Sequence, residues 1–163
     1  MERCLQLTER ALTPCARHTF EPGHFTASAF VLSPDRTRLL LIFHGKLHRW
    51  LQPGGHIDPD DASPMDAALR EAREETDAQG LSLAHEGIFD VDIHRIPALK
   101  DDPSHEHFDL RYLFVASKTA AVAGSDARDV RWCPLDQVSP LESDESVMRA
   151  VRKLRRRLDR EGA

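Results

Sequence analysis

The chain has 163 residues, 40% of them hydrophobic and 30% charged, with a formal net charge of −5. That is enough for one domain with a real core, and the charge balance advertises no nucleic-acid partner. No apolar run reaches the length needed to cross a bilayer, so no membrane partner is expected. Cys4, Cys15 and Cys133 are odd in number, widely spaced and without zinc-ligand spacing, which reads as free thiols. Met1 to Cys4 lacks the apolar stretch of a signal peptide, so a cytoplasmic location is expected.

Residues 2–19 read as one or two short helices interrupted at Thr13-Pro14. Thr26 to Leu32 alternates weakly and reads as a strand, and Ser33-Pro34-Asp35-Arg36 as a turn. Arg38 to His44 is a strand rich in Leu, Ile and Phe. Trp50 to His56 is a strand end running into the Gly54-Gly55 turn, and Trp50 and Trp132 are read as core. A helix follows from about Pro64 to Thr76, with Ser63 as its N-cap, a proline at N1 and Asp66 in the first turn. Its buried stripe is Met65, Leu69, Ala72 and Thr76, with Ala68 beside them. Phe89 to His94 and His105 to Tyr112 alternate with period two, joined by a proline-containing loop. Lys118 to Asp129 reads as a loop or hairpin, and Val130 to Cys133 as a short strand. Glu145 to Leu158 is a terminal helix with Val147, Val151, Leu154 and Leu158 as its apolar stripe. The order predicts an α/β fold, an α/β/α sandwich with a mixed central sheet. It is a single domain over residues 1–163, with 1–23 as an N-terminal extension and 24–160 as the core.

The chemistry concentrates in Arg70-Glu71-Ala72-Arg73-Glu74-Glu75-Thr76. On a helix, Glu71, Glu74 and Glu75 fall at i, i+3 and i+4, so their carboxylates project from one face, opposite the predicted core stripe. Like charges at that spacing repel, and a hard divalent cation such as Mg²⁺ relieves the repulsion. Gly54 and Gly55 let backbone approach a ligand beside that face.

This arrangement resembles the Nudix box: Gly, five residues, Glu, seven residues, then Arg-Glu-apolar-x-Glu-Glu-x-Gly-apolar. Gly55 matches the first glycine, and Arg70, Glu71, Ala72, Glu74 and Glu75 match the Arg-Glu-apolar-x-Glu-Glu core. Asp61 stands where the first Glu is expected, eight residues rather than seven before Arg70, and Asp77 replaces the final glycine. Gly80-Leu81 is then expected to serve as a displaced helix stop.

The resemblance implies a Nudix-type sandwich and a hydrolase using Mg²⁺ or Mn²⁺. The bond cleaved is a pyrophosphate in a nucleoside diphosphate linked to another moiety. It implies Gly54, Glu71, Glu74 and Glu75 as metal ligands, with Glu71 either a ligand or the base that activates water. Arg70 would orient a glutamate, and Asp61 would reach metal through water. A nucleotide-sensing Nudix domain with little catalysis is the alternative, and an isomerase on the same fold a third reading. The oligomeric state is open, a homodimer included.

A second constellation lies on the alternating strands. His105, His107, Asp109 and Arg111 share one face, and Asp90, Asp92 and His94 share a face of the other strand. If the strands pair antiparallel, these faces adjoin. They then form either a solvated sheet face or a substrate wall, with Arg111 on a phosphate and His105 and His107 on base, sugar or water. His56, in the glycine loop, is a candidate phosphate contact, and His-x-His also suits a transition metal. Arg149, Arg152, Lys153, Arg155, Arg156 and Arg157 read as the solvated face of the last helix.

Overall fold

The structure is a computed structural model that describes residues 2–99, 101–124, 127–140 and 142–161. In chain order the elements are α1 (Glu2–Arg10), β1 (Gly23–Leu32), β2 (Arg38–His44), β3 (Arg49–Leu51), β4 (Gly54–His56), α2 (Pro64–Thr76), β5 (Leu81–Leu83), β6 (Asp90–Ile96), β7 (His105–Ala116), β8 (Ala127–Pro134) and α3 (Glu145–Glu161). The strands form one mixed eight-stranded sheet. At its centre β1 and β7 run parallel, from Gly23 opposite Glu106 to Leu32 opposite Val115. β4 pairs antiparallel with β1, and β6 with β7.

The period-two rule explains the layers. Phe25, Ala27, Ala29 and Val31 of β1, with Phe108, Leu110, Tyr112 and Phe114 of β7, pack beneath Ala67, Ala68 and Ala72 of α2 and Leu7 of α1. The opposite face carries Phe30, Leu32, Leu39, Leu41 and Leu113 against Val147, Ala150, Val151 and Leu154 of α3. All ten residues of β1 are buried, which is why its sequence alternates only weakly. Trp50 and Trp132 pack at the margins of the two cores, and the three cysteines are free thiols.

Several expectations are corrected. β8 begins at Ala127, inside the expected 118–129 loop, whose residues 125 and 126 lie outside the described set. β5 has no counterpart in the sequence reading, and Gly54-Gly55, expected as a turn, forms the short strand β4 with His56 because it pairs with β1. The stop of α2 is not at Gly80. Asp77 takes the left-handed C-cap conformation, with φ 48° and ψ 21°, and donates its N–H to the Arg73 carbonyl. An aspartate therefore occupies the geometry that glycine usually fills.

Candidate active site

α2 starts as its sequence dictates: the Ser63 side chain accepts the Asp66 N–H, and Pro64 occupies the first turn. The three alanines press the helix onto β1, which brings its acidic residues to the edge of β4. Gly54 donates its N–H to Glu75 Oε2 at 2.9 Å. Glu75 is only 5% exposed, so it does not lie on the open face expected for it; it is wedged between helix and loop. Glu71 packs onto Gly55 so closely that a Cβ there would lie 2.5 Å from Glu71 Oε1. Any side chain at this position would have to push the Glu71 carboxylate aside. Burial raises the Glu71 pKa above the ordinary glutamate value, against the pull of Arg70.

Arg70 organises the acidic cluster. Its Nε and Nη2 grip Asp61 at 3.0 and 2.9 Å, its Nη1 donates to Glu71 at 3.0 Å and to Glu74 at 3.1 Å, and Nη2 also reaches the His56 carbonyl at 3.0 Å. The Arg70 hydrogen bonds lower the Asp61 pKa, and Asp61 in turn raises that of Arg70. The forked contact matches guanidinium to carboxylate geometry. Asp61 thus faces Arg70 as its clamp, and the shorter side chain and extra loop residue still close that contact. Asp58 joins at 3.6 Å, so among the described residues one guanidinium faces four carboxylates, Asp58, Asp61, Glu71 and Glu74, with Glu75 beside them. Clustered carboxylate oxygens in excess over their counter-charge, next to the two glycines of β4, suit a hard divalent cation.

The second constellation differs from its expected form. β6 and β7 do pair antiparallel, with Asp90 opposite Arg111, Asp92 opposite Asp109 and His94 opposite His107. The adjoining face is not solvated where Arg111 lies. Arg111 is 1% exposed, donates to Asp109 at 2.9 Å and to the Ser146 carbonyl and hydroxyl of α3 at 3.1 and 2.8 Å, and approaches Asp90 and Asp92. A guanidinium so enclosed is not poised on a cleft wall. Arg149 bridges Asp90 and Asp92 at 2.8 and 2.9 Å, and Lys153 reaches Asp90 at 3.3 Å. Both side chains stay exposed, as expected of the terminal basic run, while pairing with these aspartates at the sheet surface. Burial works to raise the Asp92 pKa, but the His94 hydrogen bond and the Arg111 and Arg149 charges outweigh it and hold the carboxyl well below the usual range.

His56, His105 and His107 are brought together, and His24 joins them from the start of β1. His105 is buried, and His56 and His107 are half-buried. Ring centroids lie 4.8 Å apart for His24 and His107 and 5.2 Å apart for His24 and His56. His24 carried no signal in the sequence, because only the parallel β1–β7 pairing places it there.

The chain belongs to the NUDIX family: the NUDIX domain model matches residues 22–154. A relative named "Probable DHNTP pyrophosphohydrolase", from Lactococcus lactis subsp. cremoris (strain MG1363), is 36% identical over 90 residues, covering 54% of this chain and 51% of that protein. The match thus spans about half the length of the curated relative. Among solved structures, a NUDIX family hydrolase from Clostridium perfringens superposes with a TM-score of 0.66 at 19% identity, over 85% of this chain and 97% of that one. An Ap4A hydrolase binary complex from C. elegans gives 0.61 at 18%, over 83% and 97%. At these identities the structures speak to the fold alone.

Proposed function

We propose that the chain is a divalent-metal-dependent pyrophosphohydrolase acting on a nucleoside diphosphate linked to a further moiety. The observation that carries this reading is the excess of carboxylates around Arg70, placed against the Gly54-Gly55 loop. Mg²⁺ or Mn²⁺ bound there would neutralise phosphate oxygens and ease ionisation of the attacking water. Glu71, Glu74 and Glu75, with the Gly54 carbonyl, are the oxygen donors that suit such an ion. Glu71 serves either as a ligand or as the base that takes the water proton. Arg70 keeps Glu71 and Glu74 aligned and is itself held by Asp61. Gly54 and Gly55 let β1 and the Glu71 carboxylate close directly onto the backbone of β4.

The sensing alternative drew on Asp61 and the longer loop. The Arg70–Asp61 contact closes despite both departures, which supports the catalytic reading. The name of the curated relative puts DHNTP among the substrates to test, beside dinucleoside polyphosphates, nucleotide sugars and nucleoside triphosphates. Incubation with that panel, with and without Mg²⁺ or Mn²⁺, tests the reading. Metal-dependent release of phosphate or pyrophosphate products is expected from at least one class. Tight nucleotide binding without turnover of any would establish the sensor instead.

A further inference from the structure

The sheet face opposite α2 carries histidines for which the carboxylate chemistry has no use. The register places His24 opposite His107 in the parallel β1–β7 pair, while β4 sets His56 opposite Thr26 on the other edge of β1. Residues two apart in a strand share a face, so the three imidazoles converge. One nitrogen from each of His24, His56 and His107 lies within 4.8 Å of the others. Nitrogens about 2.1 Å from a tetrahedral zinc stand roughly 3.4 Å apart, so small ring rotations close the triad.

The bland reading is a packed set of core imidazoles. Its difficulty is His24, which is 0% exposed. Its Nδ1 lies 3.0 Å from the Thr19 carbonyl, so the N–H sits there and Nε2 keeps its lone pair. That Nε2 is buried and has no hydrogen-bond partner. A buried acceptor without a donor is rare in a native fold and calls for an explanation. A backbone carbonyl that fixes one ring nitrogen while the other points at its neighbours is also the usual support of a metal-binding histidine.

The surrounding groups extend that pattern. His105 donates from Nδ1 to the Pro103 carbonyl at 2.8 Å, and its Nε2 lies 3.3 Å from His107 Nε2, which fixes the His107 ring. Asp92 holds His94 Nδ1 at 3.0 Å behind His107. The ligand set is all nitrogen, and neutral imidazoles select zinc and its transition-metal neighbours over Mg²⁺.

We infer that His24, His56 and His107 form a second, chemically distinct metal site, for a Zn²⁺-class ion, on the sheet face away from the glutamates. The half-buried edges of His56 and His107 leave a further coordination position open to water. His56 joins the two sites. Its ring belongs to the triad, its carbonyl accepts from Arg70, and it directly follows Gly55. An ion on the triad fastens β4 to β1 and β7 and so holds the glycine loop against Glu71 and Glu75.

The test is Zn²⁺ titration of chelator-treated protein in excess Mg²⁺, followed by calorimetry, with Co²⁺ as a visible-absorption probe. One equivalent of Zn²⁺ that Mg²⁺ does not displace is expected, with a higher melting temperature. A Glu74→Gln/Glu75→Gln variant should retain that equivalent, whereas His56→Ala and His107→Ala should each weaken it at least a hundredfold. No binding in the wild type, equal binding in the histidine variants, or loss confined to the glutamate variant overturns the site. Where a histidine variant does not fold, the Co²⁺-loaded wild type decides. Paramagnetically shifted imidazole N–H resonances support the triad, and their absence sinks it.

Discussion

Two clusters of carboxylates lie in this fold, and they differ in counter-charge. At the α2 edge, Arg70 is the one cation among the described residues that faces Asp58, Asp61, Glu71 and Glu74. Under α3, Asp90, Asp92 and Asp109 meet Arg111, Arg149 and Lys153. In the second cluster three anions meet three cations, and Arg111 at its centre is enclosed. The first keeps an anionic surplus beside a bare glycine loop. A balanced network built around an enclosed arginine holds the structure together, while an unbalanced, open one has capacity for a cation. Rows of polar residues look alike in sequence; stoichiometry and covering decide their roles.

The largest expected effect breaks the balanced cluster. Arg111→Ala leaves three buried aspartates short of their central cation and removes two hydrogen bonds to Ser146. Removing one partner of a buried ion pair costs about 3–5 kcal/mol. For a chain of this size that is a fall of roughly 10 °C in melting temperature. A variant melting within about 2 °C of wild type would show that the network is not structural and would reopen Arg111 as a ligand contact.

The next effect belongs to the surplus cluster and should appear in turnover rather than stability. Glu74→Gln and Glu75→Gln keep shape and remove charge from the donor set. Each should lower kcat by about a hundredfold or more, which is about 2.7 kcal/mol in the barrier. Melting temperature of the metal-free protein should hold or rise slightly, because like charges at i, i+3 and i+4 are relieved. Near wild-type kcat at saturating Mg²⁺ in either variant would remove it from the metal site.

Smaller again is the acid response of the balanced cluster. Asp92 has a folded-state pKa below its ordinary value of 3.8. Its contribution is therefore fully present above that value and is lost as pH falls through the depressed folded pKa. Asp92→Asn should destabilise the protein by about 1–3 kcal/mol near neutrality. The gap between wild type and variant should narrow as pH falls from about 4 toward about 2. Melting curves across that range check it, and a gap independent of pH would deny Asp92 its ion pairs.

Much of the first cluster was legible in the sequence because it is local. Ser63, Pro64 and the apolar stripe bound α2 at the residues observed, and the glutamate spacing needs only one helix and one loop. The second cluster was misread because its closure is long-range. The alternation placed Asp90, Asp92 and His94 on one face and His107, Asp109 and Arg111 on another that would adjoin it in an antiparallel pair, and the strands do pair that way. Nothing near those residues shows that α3, some 35 positions later at Ser146, folds over them. Arg149 and Lys153 are exposed as expected, but their pairing with Asp90 and Asp92 has no local sign because those partners lie on β6. His24 was invisible for the same reason, since a parallel pair has no short-range signature. Glu75 was misjudged by helix geometry alone, which gives its azimuth but not the loop that covers it.

The smallest prediction concerns the one departure from the Nudix box that the structure leaves strained. Asp77 sits at φ 48° in the left-handed region and caps α2 by donating to the Arg73 carbonyl. Glycine adopts that conformation without a Cβ penalty, and a negative charge at a helix C-terminus opposes the macrodipole by about 0.3–1 kcal/mol. Against this, glycine gains freedom in the unfolded chain, a loss of about 0.4–1 kcal/mol. The left-handed backbone cost of about 1–2 kcal/mol for an ordinary residue tips the balance, although aspartate tolerates it better than most. Asp77→Gly should therefore stabilise the protein by about 0.5–1 kcal/mol, or roughly 2 °C. Turnover should not change, because the Asp77 carboxylate contacts Gln79 rather than the Arg70 cluster. Turnover altered by more than about twofold in Asp77→Gly would mean that the carboxylate surplus extends past the end of α2.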